Sequence, residues 1–319
     1  MKKEIKKYMQ LFDLHCDSIV KYRELGEGFL CKKTQFSLND AARFERICQA
    51  MAIFIPDDIR GEKAFKYFNV HRDYLLGLLE KESDLAELAC SGADVARIAG
   101  SGRCAVMLAV EGGAVLAGKI ENVGCLARCG VQIMTLVWNG ENEIGSGHRT
   151  HHGLTAFGRE VVKRMEEQNM IVDVSHLNDE GFDDVCEIAQ KPFIASHSNL
   201  RSICPHNRNL TEKQFEEIVR RRGLVGINLY EPFLDENGEG TVESVLRHVY
   251  RMLELGGENV IACGSDFDGA DIHPSLDSPV KFAGVAQYLV DHGIGKEQVD
   301  KMFFGNALNF FMTKGGITT

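Results

Sequence analysis

Six polar residues close short apolar runs that lie far apart along this 319-residue chain: His15, Asp17, Glu111, His176, His197 and Asp266. Imidazole and carboxylate together suit zinc and, with less affinity, other first-row divalent ions. The same groups carry protons in general acid–base catalysis. If the runs are strands of a closed barrel, their C-terminal ends surround one axis, and separation along the sequence no longer matters. The chemistry indicated is metal-assisted hydrolysis.

The first run ends Phe12-Asp13-Leu14-His15-Cys16-Asp17. Alternation along a strand puts Asp13, His15 and Asp17 on one face, where His15 and Asp17 can meet one metal. A second run ends at Glu111, followed by Gly112 and Gly113. A carboxylate there is costly unless paired or metal-bound. Its two oxygens can bridge two ions; alternatively, it sits at the start of a helix and is stabilised by the dipole. Two further runs both finish in Ser-His, at Ser175-His176 and Ser196-His197. Matching ends on neighbouring strands would place two imidazoles side by side for a second metal. The last run, Gly264-Ser265-Asp266-Phe267-Asp268-Gly269, offers Asp266 as a proton shuttle or ligand, whereas Asp268 reads as turn chemistry.

Eight apolar runs can position these groups: residues 10–17, 50–56, 104–111, 131–138, 170–176, 193–198, 224–230 and 260–267. Most are nearly continuous, as parallel strands buried on both faces should be. Helical periodicity fills 64–80, 115–128, 156–168, 180–189, 212–221 and 242–255. Thr211 with Gln214 reads as a capping box, and Gly256-Gly257 as a helix stop. Alternating strands and helices imply a parallel sheet, and eight strands favour a (β/α)8 TIM-type barrel of one domain over residues 1–319. An open doubly wound sheet is the rival, but no G-x-G-x-x-G fingerprint follows the first strand. Insertions at 26–41 and 139–154 interrupt the pattern; the second, rich in Gly and His, looks like an active-site loop.

A formal net charge of -10 argues against nucleic acid as a partner. No run approaches the roughly 20 apolar residues that span a bilayer. The basic start, residues 1–7, resembles a signal-peptide n-region, but Asp13, His15 and Asp17 interrupt any apolar stretch after it. The C-terminal residues 314–319 carry no hydrophobic tail for a lipid anchor. Ten cysteines, with no CxxC pair, read as reduced core thiols. A cytoplasmic location is the expectation.

In order along the chain stand D-x-H-x-D (13–17), V-E-G-G (110–113), M-T-L (134–136), G-L-T-A-F-G (153–158), D-V-S-H (173–176), S-H-S (196–198), R-N (208–209) and G-S-D-F-D-G (264–269). Together they resemble the zinc-dependent membrane dipeptidase family, peptidase family M19, in a bacterial-type cytoplasmic form. The likeness runs from Asp13 to about Phe310. It implies an amidohydrolase-like barrel with two Zn2+ per chain, His15 and Asp17 on one ion, His176 and His197 on the other, and Glu111 bridging. It implies Asp266 as the catalytic acid/base, Arg208 as the arginine on the substrate's C-terminal carboxylate, and Tyr230 in the substrate pocket. The implied reaction is hydrolysis of short peptides, chiefly dipeptides including L-Xaa-D-Xaa, by a metal-bridging hydroxide, and the family's frequent dimers suggest a homodimer.

One position departs from the family. Where its better-known members carry a histidine after M-T-L-T, this chain has Trp138 in Leu136-Val137-Trp138-Asn139. Indole offers one donor and no exchangeable proton at neutral pH. Asn139, or a histidine of the next loop (His148, His151 or His152), could take over. The departure makes one rival more credible, another metal hydrolase on the same barrel such as a lactonase or deaminase; a second rival, a non-catalytic zinc-binding barrel, is opposed by the presence of all five candidate ligands and Asp266.

Overall fold

The computed structural model describes residues 9–313; the basic start at 1–7 and the tail at 314–319 lie outside the described residues. Eight parallel strands close into a barrel: β1 (Met9–Cys16), β2 (Phe44–Phe54), β4 (Cys104–Glu111), β5 (Val131–Thr135), β6 (Ile171–Asp173), β7 (Ile194–Ala195), β8 (Leu224–Ile227) and β9 (Ile261–Cys263). β1 pairs with both β2 and β9, and β2 pairs with β4 from Ile47↔Cys104 to Phe54↔Glu111, which closes the ring. A short extra strand, β3 (Ala86–Leu88), lies beside the start of β4. The (β/α)8 expectation holds. β5 to β9 are shorter than their apolar runs, because the last residues of those runs leave the ladder to form the rim, whereas β2 begins at Phe44, well before its run at 50–56.

Alternate residues of the strands make two separate cores. Leu14, Ala50, Met107, Ile133, Ile194 and Leu224 meet inside the barrel, joined by Phe304 and Phe311 from the C-terminal segment. The opposite faces, among them Val106, Val110 and Ile227, pack under the surrounding helices. Period-two side-chain direction with both faces apolar is what a covered parallel sheet requires.

β1 breaks this alternation. Its pairing with β2 runs Asp13↔Gln49 and then Cys16↔Met51, a slip of one residue. An extra residue of this kind reverses which side the following residues face. His15 and Asp17 turn to the barrel mouth. Asp13 instead takes hydrogen bonds from Ser265 N (2.8 Å) and Ser265 Oγ (2.5 Å). The expectation that Asp13, His15 and Asp17 share one face is thus corrected for Asp13.

The helices follow the sequence periodicity, including α2 (Glu62–Lys81), α5 (Ala156–Glu167), α6 (Asp179–Ile188), α7 (Glu212–Arg220) and α9 (Val242–Glu254). Thr211 and Gln214 form the capping box of α7. α9 stops just before Gly256, whose φ of 82° suits glycine. Residues 115–128 are not one helix. A 3-10 turn (Gly113–Leu116) precedes α4 (Glu121–Arg128), and the break falls where Ala117 and Gly118 adopt positive φ.

Candidate metal centre

Every one of the six polar residues sits at or just beyond a strand end on the same rim. Glu111 faces two ways. Its Oε2 lies 3.5 Å from His15 Nε2, which is itself 3.5 Å from Asp17 Oδ2. Its Oε1 lies 2.8 Å from His176 Nε2 and 3.5 Å from His197 Nε2. The two imidazole nitrogens of His176 and His197 approach to 2.9 Å. Within each triad, His15–Asp17–Glu111 and Glu111–His176–His197, the candidate ligand atoms lie within 4.8 Å of one another; Asp266 groups in the same way with His15 and His197.

The local backbone serves this convergence. His176 (φ 71°) and Asp266 (φ 68°) hold left-handed conformations that cost side-chain-bearing residues roughly 1–3 kcal/mol and cluster at functional sites. A Cβ on Gly226 or Gly264 would lie 2.0 Å from Ser196 O, so glycine at both positions lets the Ser196-His197 backbone approach β8 and the end of β9 closely.

The donor set fits cations. His15 Nε2 and Asp17 Oδ1 are buried without a hydrogen-bond partner, and a buried unpaired polar atom costs about 1–3 kcal/mol. Burial lowers the pKa of His176 and His197 well below normal, with Arg208 next for His176 and His15 next for His197. Both are therefore neutral imidazoles with a lone pair to give. Burial, then the nearby Asp17, pushes Glu111 up to about 7 despite the opposing His15. Burial also disfavours charge on His15, but Glu111 and Asp17 outweigh it and raise its pKa well above normal. Positive charge is what this cluster of carboxylates demands, and neutral imidazoles plus carboxylates are zinc-type ligands.

Asp266 is half-buried at the cavity wall, and its desolvation raises its pKa, while His15 and Arg208 pull the other way. Its Oδ2 accepts from Asn228 Nδ2 at 3.1 Å, and its Oδ1 lies 3.9 Å from His15 Nε2. The centre opens into a cavity of about 530 Å³ whose wall includes Trp138, Asn139, Arg149, Tyr230 and Phe233. Trp138 stacks edge-on against Phe54 at 4.8 Å, and Tyr230 against Phe233 at 4.7 Å. The cavity thus has one aromatic pair on the β2/β5 side and another beyond β8.

Asn139 does more than line the wall: its Oδ1 lies 3.1 Å from His176 Nδ1, which orients that ring. Arg208 is buried beneath the rim, 3% exposed, and is not among the cavity-wall residues. It donates from Nη1 to Ser198 Oγ (2.8 Å) and from Nη2 to His197 O (2.9 Å), with Phe233 over its guanidinium. Among the described residues, its Nε has no hydrogen-bond partner and no carboxylate forms an ion pair with it. Burial lowers its pKa to about 10, which leaves it charged at neutral pH. Of the three loop histidines, His151 and His152 are exposed, while His148 is buried with its ring 6.1 Å from that of His176. Asp268 accepts from Ser18 Oγ and from the Gln35 and Phe36 amides, tying the 26–41 insertion to the rim.

Asn228, Phe54, Phe233 and Arg149 were not singled out from the sequence. Asn228 carried the one usable signal, a polar residue interrupting the apolar run 224–230.

A family model described as "Membrane dipeptidase (Peptidase family M19)" matches residues 1–314. The dipeptidase tcpJ of Claviceps purpurea is 31% identical over 243 residues, 74% of this chain and 57% of that protein. An uncharacterised protein in the pqqA 5' region of Klebsiella pneumoniae is 30% identical over 243 residues, 72% of this chain and 90% of that protein. The chain therefore spans little more than half the length of the fungal relative. Among solved structures, dipeptidase AC, a family M19 metallopeptidase, superposes with a TM-score of 0.90 at 25% identity, covering 97% of this chain and 99% of that one. A metallopeptidase from Rhodobacter sphaeroides, liganded with a phosphinate mimic of L-Ala-D-Ala, superposes with a TM-score of 0.89 at 24% identity, over 96% of this chain and 99% of that one. The second match speaks for the fold alone.

Proposed function

The chain belongs to the membrane dipeptidase family, peptidase family M19, and on that premise we propose that it is a zinc-dependent dipeptidase acting on L,L and L,D dipeptides. The observation that carries this reading is the division of Glu111, one oxygen toward His15 and Asp17 and the other toward His176 and His197. His15 with Asp17 would hold one ion, His176 with His197 the other, and Glu111 both. When bound, the two ions supply an acidified water and a Lewis acid for the scissile carbonyl.

The residues around them divide the remaining work. Asp266, fixed by Asn228, takes the proton released as water attacks and returns it to the leaving amine nitrogen. Its desolvation raises its affinity for that proton. Arg208 would reach the substrate's C-terminal carboxylate from behind the cavity wall, with the N–H groups that Ser198 and His197 leave unused. That end of the substrate would lie toward β7 and β8, so the amino-terminal residue points across the barrel toward Phe54 and Trp138. Tyr230 bounds the carboxylate side. Trp138 gives that far wall apolar surface where the resemblance calls for an imidazole. Asn139 acts chiefly through His176, and His148 is the loop histidine placed near the centre.

Among the described residues, no helix is long and apolar enough to cross a membrane. Six buried free thiols, Cys16, Cys31, Cys48, Cys104, Cys204 and Cys263, suit the reducing cytoplasm, where we place the enzyme. We also take it to form homodimers.

The test is turnover and metal content together. Zinc-loaded protein is assayed on L,L and L,D dipeptides beside D266N. The expected result is about two zinc ions per chain, hydrolysis by wild type, and a loss of roughly 10²–10⁴-fold in D266N with zinc retained. Equal rates for the two proteins would remove Asp266 from the mechanism. Trp138 favours one second reading, a lactonase or cyclic-amide hydrolase. Turnover of such a ring with none on dipeptides would select it.

A further inference from the structure

Behind the candidate centre, Asp173 is fully buried at the end of β6. Four donors converge on its two oxygens. Ser175 N (3.0 Å) and Ser196 N (2.9 Å) reach Oδ1, while Thr135 Oγ1 (2.5 Å) and Ser196 Oγ (2.6 Å) reach Oδ2. This one carboxylate therefore ties the ends of β5, β6 and β7 together. The Ser196 hydroxyl has a single proton, and it is directed at Asp173. Its oxygen also lies 2.7 Å from His197 Nδ1. With its proton committed, Ser196 Oγ can only accept there, so Nδ1 must carry the imidazole hydrogen. Nε2 is then left with its lone pair, 3.5 Å from Glu111 Oε1.

We propose that Ser196 and Asp173 are positioning residues that lock His197 in its Nδ1–H tautomer and aim Nε2 at the centre through a carboxylate–hydroxyl–imidazole relay. The inference rests on the reading of His197 as a metal ligand. It assigns the Ser of the Ser196-His197 pair a role different from that of its counterpart. Ser175 Oγ accepts from His197 N (3.2 Å), whereas the neighbouring ring, His176, is oriented by Asn139. The two imidazoles are thus held by different devices, one within the barrel wall and one from the loop after β5. Loss of the relay should weaken one ion and spare the other.

The experiment measures zinc affinity by chelator competition on wild type, S196A, S196T and T135V. Thr135 is the comparison because it bonds the same Asp173 oxygen without touching His197. Outer partners of metal-bound histidine are typically worth about 10–100-fold in affinity. S196A should therefore lose that much at one of two ions, S196T should restore most of it, and T135V should lower thermal stability with both affinities within about threefold, well below that range. Two ions held by S196A at wild-type affinity, or equal weakening by T135V, would overturn the relay. Zinc-free wild type decides the matter if S196A does not fold. In its histidine 15N spectrum, the His197 signals, identified by their loss in H197Q, must show the proton on Nδ1; a proton on Nε2 overturns the proposal. Wild type that binds no zinc at all overturns instead the reading on which it rests.

Discussion

Replacing Arg208 with methionine tests how the substrate's carboxylate is recognised. The guanidinium has five N–H groups, of which one on Nη1 and one on Nη2 are given to Ser198 and His197, while Nε is unpaired. It remains charged at neutral pH, since burial lowers its pKa only to about 10. Two charge-assisted hydrogen bonds to a carboxylate, at about 1.5–3 kcal/mol each, give roughly 3–6 kcal/mol. Each 1.4 kcal/mol is tenfold, so R208M should lose about two to four orders of magnitude in kcat/KM on Ala-Ala. The same substitution disturbs His197 O, which would slow any substrate. Ala-Ala amide, which has no carboxylate, measures that general loss, and it should stay below about tenfold, near one such 1.4 kcal/mol step. R149M supplies the comparison, because Arg149 is the guanidinium on the cavity wall. Equal losses on acid and amide in R208M, or a carboxylate-selective loss in R149M instead, would refute the assignment.

E111Q should bind fewer than two zinc ions, measured by elemental analysis, because a neutral amide offers one weak oxygen where the carboxylate serves both triads. W138A should narrow the kcat/KM preference for a bulky apolar amino-terminal residue over alanine by roughly 10-fold or more, as an apolar subsite contact is worth about 1–3 kcal/mol. The fold has its own pH dependence through His248, whose Nδ1 accepts from Leu200 N and whose Nε2 donates to Leu234 O. Burial pushes its pKa down to about 4 from 6.5, so its contribution is complete above pH 6.5 and is lost as pH falls toward 4. The shift corresponds to about 3 kcal/mol. Urea unfolding of zinc-free protein should show the wild-type advantage over H248Q shrinking across that window, and a pH-independent difference would contradict it.

The sequence by itself determined the barrel and the polar residues of its rim. Hydrophobic runs and the residue that ends each of them are local properties, legible without knowing which strand lies beside which. Glu111 after Val110, and the repeated Ser-His endings, could be read in that way. The tertiary structure decided everything that depends on register and on partners from other strands. The one-residue slip in β1 parts Asp13 from His15 and sends it to Ser265. The meeting of Ser196 with Asp173 needs β6 and β7 side by side. Asn139 turned out to hold His176, and Arg208 to lie beneath the rim with Phe233 above it. A strand announces its own faces through a two-residue period, but a hydrogen bond between strands depends on two distant stretches at once, and only closure of the barrel brings them together.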